Sequence, residues 1–195
     1  MSYPIQNTND GFTIIELLIA IAIMGVMIGA MFSFSIAQRK YLSLQEQISA
    51  MAQNTRAAMD MITGELAMAG YNPSGAAAFA GIPYSASQLQ IYADLNDDGD
   101  RTDPNENIIY TYDPTNKRIL RNTGGGNQPL SENIQNLIFE YLNDQGNPTT
   151  VTANIRQIRL TITGRTDKPD PLYATNSGFR TYTLTSLITP RNLAY

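Results

Sequence analysis

From Phe12 to Ala37 the chain carries a single charge, Glu16, in a run dominated by Ile, Leu, Ala and Met. The hydrocarbon core of a bilayer is about 30 Å thick and takes about 20 apolar residues of helix to span, which this run supplies. An ionised carboxylate at bilayer depth costs a few kcal/mol on insertion scales, so Glu16 calls for a cationic partner. A secretory signal peptide has a basic start, a short apolar core and a small-residue cleavage site behind it, and this run is too long for that. A plain single-pass anchor tolerates one Glu near its end. It leaves unexplained the Gly11-Phe12-Thr13 that precedes the Glu and the helical pattern that continues behind the run.

Gly11, Phe12, Thr13, two apolar residues, Glu16 and then an unbroken Leu/Ile/Ala run resemble the processing and assembly signature of type IV prepilins and of the related pseudopilins of type II secretion. The segment 38–71 and the ending Thr189, Pro190, Arg191, Asn192, Leu193 further resemble PilW-type minor pilins. The resemblance implies a leader over 1–11, cleavage by prepilin peptidase between Gly11 and Phe12, and N-methylation of the new Phe12 amine. It implies that Glu16 neutralises the terminal amine of a neighbouring subunit, which is the cation the membrane physics asks for. It also implies a single pass through the bacterial inner membrane with the globular domain in the periplasm, and later a place in a pilus at the cell surface. The implied partners are the peptidase, the inner-membrane assembly platform, and other minor and major pilins through the N-terminal helix. The leader MSYPIQNTNDG has no Lys or Arg while Arg39 and Lys40 follow the run, so charge alone favours the reverse orientation and the resemblance sets it.

The 195 residues leave enough chain beyond the run for one domain of ordinary size. There is no Cys, His or Trp, which rules out disulfides, Ser-His-Asp and Cys-His triads, His/Cys zinc sites and haem ligation by His. No nucleophile, base and orienter stand together, so the chain reads as a non-enzyme. A net charge of −4, from 13 basic and 17 acidic residues, gives no global basic field for nucleic acid. Arg118, Arg121, Arg156, Arg159, Arg165 and Arg180, with several Tyr, could form a basic aromatic patch, but such residues are more often the solvated face of a sheet.

Leu44, Ile48, Met51, Thr55, Ala58 or Met59, Ile62, Leu66 and Ala69 recur at three- and four-residue steps, an apolar helical stripe. No Pro falls between Phe12 and Ala69, and Gly70 with Pro73 is a stop signal. One helix is therefore expected, membrane and filament core over 12–37 and amphipathic over 38–70. Gly25 and Gly29 form a GxxxG pair, read either as a close helix contact or as the ordinary glycine of membrane helices. Over 71–195 the expectation is a loop to about Gln88 and then period-two strands. Ile158, Leu160 and Ile162 alternating with Arg159, Thr161 and Thr163 mark an antiparallel sheet with one wet face. The expected fold class is α+β, a long N-terminal helix packed on a mostly antiparallel sheet, as the pilin resemblance also implies.

Acidity is local: Asp94, Asp97, Asp98, Asp100, Asp103 and Glu106 lie close together with Arg101 as their one basic neighbour. Asp94, Asn96, Asp98, Gly99 and Asp100 match the first half of an EF-type calcium loop, after which the register slips: Asn105 takes the place of the closing carboxylate, Glu106 comes one residue late and Asp103 early. Calcium on Asp94, Asn96, Asp98, Asp100, Asp103 and Glu106 is one reading, and a solvated Asx-rich turn the other. For the whole chain the expected function is a minor pilin in the initiation and assembly of a type IV pilus. The alternatives are a minor pseudopilin of type II secretion and a pilus-tip binding module for adhesion or DNA uptake.

Overall fold

The computed structural model describes residues 11–75 and 79–193. The expected leader up to Asp10 lies outside the described residues. One α-helix, α1, runs unbroken over Ile14–Ala67, 54 residues, as the absence of Pro and the three- and four-residue stripe require. The chain divides into two compact units, Met1–Gln45 and Glu46–Tyr195. In the first unit the large apolar side chains of α1 are exposed, among them Ile14, Leu17, Met24, Val26, Phe32 and Phe34. In the second, α1 buries Met51, Thr55, Ala58, Met59, Ile62 and Leu66, the stripe expected from the periodicity.

Among the described residues seven strands follow the helix: β1 (Gln88–Tyr92), β2 (Asn107–Asp113), β3 (Arg118–Asn122), β4 (Gln128–Glu132), β5 (Ile134–Leu142), β6 (Gln157–Arg165) and β7 (Thr181–Ile188). All pairings are antiparallel, and the fold class is α+β. The strands form two meanders, β1-β2-β3-β4 and β5-β6-β7, rather than one sheet. Between them Asn133 sits at φ 58°, a left-handed conformation that Asn tolerates better than most residues, and there the chain leaves the first sheet for the second. β4 escapes the sequence pattern because Pro129 interrupts its alternation. It is an edge strand, the position in a sheet where a missing N–H is tolerated.

A single core joins the helix to both sheets: Ile62, Leu66 and Ala69 from the helical side, Leu89, Ile91, Tyr110 and Ile119 from the first sheet, Ile134, Ile158, Leu160 and Ile162 from the second. Two tyrosines tie the sheets. The Tyr112 hydroxyl donates to the carbonyls of Ile134 and Gln135 at 3.1 and 2.7 Å, and the Tyr141 hydroxyl donates to the Gln88 carbonyl at 2.9 Å. Burial pushes the Tyr141 phenol up to about 12. The wet face of β6 is as expected, with Thr161 and Thr163 bonded across the strands to Thr185 and Thr183 at 3.0 Å each.

The helix stops where the sequence places its signal. Gly70 lies at φ +78°, and its amide leaves the helix to donate to the Tyr92 carbonyl at 2.8 Å. The chain's ending then closes this corner. Asn192 Nδ2 reaches the carbonyls of Met68 and Ala69 at 3.5 and 3.4 Å, and the Leu193 side chain packs on the core. These contacts brace the turn through which the chain leaves α1. Asn192→Ala is expected to cost about 1 kcal/mol of stability, readable as a lowered midpoint in denaturant.

Asp113 shapes the β2–β3 turn. Its carboxylate accepts from Asn116 Nδ2 at 2.7 Å, from the amides of Thr115 and Asn116 at 3.1 Å each, and from Arg118 Nε at 3.1 Å. The Asn116 side chain first, then its amide, then Arg118, hold the carboxyl down to about 2. A depressed folded-state pKa means the turn's contribution is complete above the unfolded carboxyl value near 3.9 and is lost as pH falls through about 2. Asp113→Asn is expected to remove that acid limb from a stability-against-pH curve and leave the neutral region of the curve flat.

Candidate functional site

Thr13 begins α1. Its hydroxyl accepts from the Glu16 amide at 3.3 Å and donates to Glu16 Oε2 at 2.8 Å, while the Thr13 amide donates to that same oxygen at 2.9 Å. Thr, two apolar residues and Glu thus form a reciprocal capping box that satisfies backbone donors at the helix start. The same carboxylate that the resemblance pairs with a neighbour's amine closes its own helix in this structure. Oε1 takes no part in these bonds and the residue is exposed, so the carboxylate can meet a second partner. Gly11 and Phe12 lie just before the cap in non-helical, exposed chain.

Gly25 and Gly29 sit one turn apart on α1, so they share a face. A Cβ built at either meets nothing within 4 Å, and Ser33 Oγ donates to the Gly29 carbonyl at 3.0 Å.

The acidic loop, between β1 and β2, holds the six candidate calcium ligands in different surroundings. Asp94 is buried, with Oδ1 accepting from the Asp97 amide at 2.7 Å and Oδ2 from the Gly99 amide at 3.0 Å. Asn96 Nδ2 donates to Asp98 at 3.0 Å and to Asp103 at 2.7 Å. Asp94, Asn96 and Asp103 therefore brace the loop. Asp98 also accepts from the Asp100 amide at 3.0 Å and Asp100 from the Thr102 amide at 2.7 Å, and together with Glu106 these two bring carboxylate oxygens within 4.8 Å of one another. Glu106 is 1% exposed; its Oε1 accepts from the amides of Leu95 and Asn96, at 2.8 and 3.3 Å, and its buried Oε2 has no hydrogen-bond partner.

The arginines of the candidate basic patch are engaged internally. Arg118 pairs with Asp113 at 3.1 Å, Arg121 with Glu65 at 2.6 Å, Arg159 with Glu140 at 2.6 Å and Arg180 with Asp170 at 2.7 Å. Arg156 donates to the carbonyls of Ala153 and Ile155, and Arg165 lies 4.1 Å over the Phe179 ring.

Arg121 belongs to a cluster that periodicity does not reveal. Its guanidinium grips Glu65 of α1 through Nε and Nη2, and the Glu65 carboxylate also accepts from the buried Tyr110 hydroxyl. Burial, then Glu65, push the Tyr110 phenol well above its usual range. In sequence, Glu65 is a charge flanking Leu66 on the stripe; the one signal available is its place at the stripe's edge. Removing one partner of a buried pair costs about 3–5 kcal/mol, and this pair is partly solvated, so Arg121→Ala is expected to cost about 2 kcal/mol. Arg121→Lys should recover only part of it, because an ammonium cannot reproduce the two-pronged contact. Denaturant melts of the two variants check both statements.

Residues 6–32 match the family model described as the prokaryotic N-terminal methylation motif. A comparison with curated proteins gives no match. Among solved structures the chain is similar to a type IV-like pilin from Thermus thermophilus, at 14% identity and a TM-score of 0.41, over 77% of this chain and 98% of that one. The chain thus carries the methylation motif of prepilins at its N-terminus, on a helix long and apolar enough to cross a membrane. That motif supports a pilin-type structural subunit.

Proposed function

We propose that this protein is a minor pilin of the PilW type, a structural subunit in the initiation and assembly of a type IV pilus, matured by prepilin peptidase. The observation that carries this reading is the methylation motif at the start of an exposed apolar run, residues 12–37, whose one charge, Glu16, stands close to Gly11 and Phe12. Apolar side chains on every side of a helix cannot remain in water, so lipid covers them before assembly and neighbouring helices afterwards. The polypeptide waits in the inner membrane with its globular part in the periplasm. Cleavage after Gly11 frees a positive amine on Phe12, and the Glu16 carboxylate of an adjacent subunit draws that amine into register. An uncompensated charge in the apolar bundle would be costly, so the pairing selects a correctly staggered neighbour. Gly25 and Gly29, with open space above them, let a second helix backbone come close. The role is mechanical, with no chemistry of its own.

Intact-mass and N-terminal peptide spectrometry of the protein from a piliated host tests this. A mature chain beginning at N-methylated Phe12 is expected, together with loss of surface pili in a deletion strain. A chain that keeps its leader in a host that processes its other pilins overturns the reading.

A further inference from the structure

We propose that the loop between β1 and β2 is a calcium site, with Asp98, Asp100 and Glu106 as its carboxylate ligands and Glu106 as the buried anchor. A carboxylate that is 1% exposed, with Oε2 cut off from solvent and from every hydrogen-bond donor, is an uncompensated buried acceptor, which costs on the order of kcal/mol unless something positive meets it. The same side chain brings an oxygen within 4.8 Å of oxygens from Asp98 and Asp100, the spacing of ligands around one ion.

The loop's own cation is turned elsewhere. Arg101 lies 4.4 Å over the Tyr92 ring and 5.6 Å over Phe79, so it serves the aromatic pair instead of the carboxylates. The three ligands also differ in a useful way: Glu106 is held from within the fold, while Asp98 and Asp100 are exposed and can close over an arriving ion. Calcium fits better than magnesium, because a loop with carboxylate and carbonyl oxygens and room to adjust suits six to eight ligands, whereas magnesium demands a tight octahedron.

The test uses the full chain in detergent, with calcium chloride as probe, by thermal unfolding and titration calorimetry. Five millimolar calcium is expected to raise the melting temperature by about 5 °C over EGTA, the size for a site of about 0.1 mM affinity in a chain this long. Magnesium at the same concentration should move it by less than half as much, and calorimetry should give one ion per chain. Glu106→Gln and Asp98→Asn should each abolish the calcium shift, and in EGTA Glu106→Gln should melt no lower than the wild type, since it removes the unpaired buried charge. If Glu106→Gln does not fold, Asp98→Asn, altered at an exposed position, decides alone. No shift with calcium, an equal shift with magnesium, or a shift retained in the variants overturns the site.

Discussion

Gly164→Ala is expected to destabilise the globular unit by about 3 kcal/mol, because the new Cβ lands 2.1 Å from Thr55 Oγ1 and 3.2 Å from Met51 Cγ. Gly164 lies in β6 under α1, and Thr55 is fully buried there with its hydroxyl donating to the Met51 carbonyl at 2.7 Å. Thr55 is β-branched and fully packed, with little freedom to turn its hydroxyl aside, so relief requires the helix and sheet to move apart. At about 2–4 °C per kcal/mol for a protein of this size, the melting temperature should fall by about 6–12 °C. Thr55→Ala deletes the nearest obstruction, so the double variant should recover most of the loss, a coupling that a double-mutant cycle reads directly. Gly125→Ala is the control: nothing lies within 4 Å of its Cβ position, and the effect should stay within about 0.5 kcal/mol. A Gly164→Ala variant as stable as the wild type would mean that helix and sheet do not meet at Thr55.

Glu16→Ala is expected to leave cleavage after Gly11 intact and to reduce incorporation into filaments by about tenfold or more. This rests on the pilin reading, and the capping box makes it testable in a second way. Glu16 holds Thr13 through three hydrogen bonds, and a cap of this kind is worth about 1 kcal/mol. Glutamine keeps the capping geometry and loses the charge, since Gln serves at the same position of a capping box. If the carboxylate works by neutralising a neighbour's amine, Glu16→Gln and Glu16→Ala should fail alike. If it works by starting the helix, Glu16→Gln should assemble normally and only Glu16→Ala should fail. Quantitative immunoblots of sheared surface fractions against membranes separate the two. Thr13→Ala, which breaks the box and spares the charge, should give the smaller defect under the charge mechanism.

Some of this was legible before any coordinates. The α1 stripe from Met51 to Leu66, the stop at Gly70 and the alternation of β6 are all set by neighbours within four residues, and each appears where the pattern puts it. β4 was not, because Pro129 hides a strand that is acceptable only at an edge, and the edge is a property of the assembled sheet. The arginines looked alike in the sequence. Whether each meets a carboxylate, a carbonyl or a ring depends on which strand lies beside it.

The amino-acid sequence by itself determined a long helix that is lipid-compatible at its start and amphipathic later, and antiparallel strands behind it, since hydrophobic periodicity and turn chemistry act over a few residues; that the strands make two sheets was left to the tertiary structure. Only the tertiary structure decided that Glu65 is held by Arg121, 56 residues away, and by Tyr110, 45 residues away. It alone decided that Gly164 must be bare under Thr55, and that of the acidic loop's carboxylates Asp94 is bonded at both oxygens while Glu106 is left with a buried oxygen unmatched. Those outcomes turn on burial and on contacts between segments far apart in the chain, where solvent exclusion sets the worth of each charge and each methyl group.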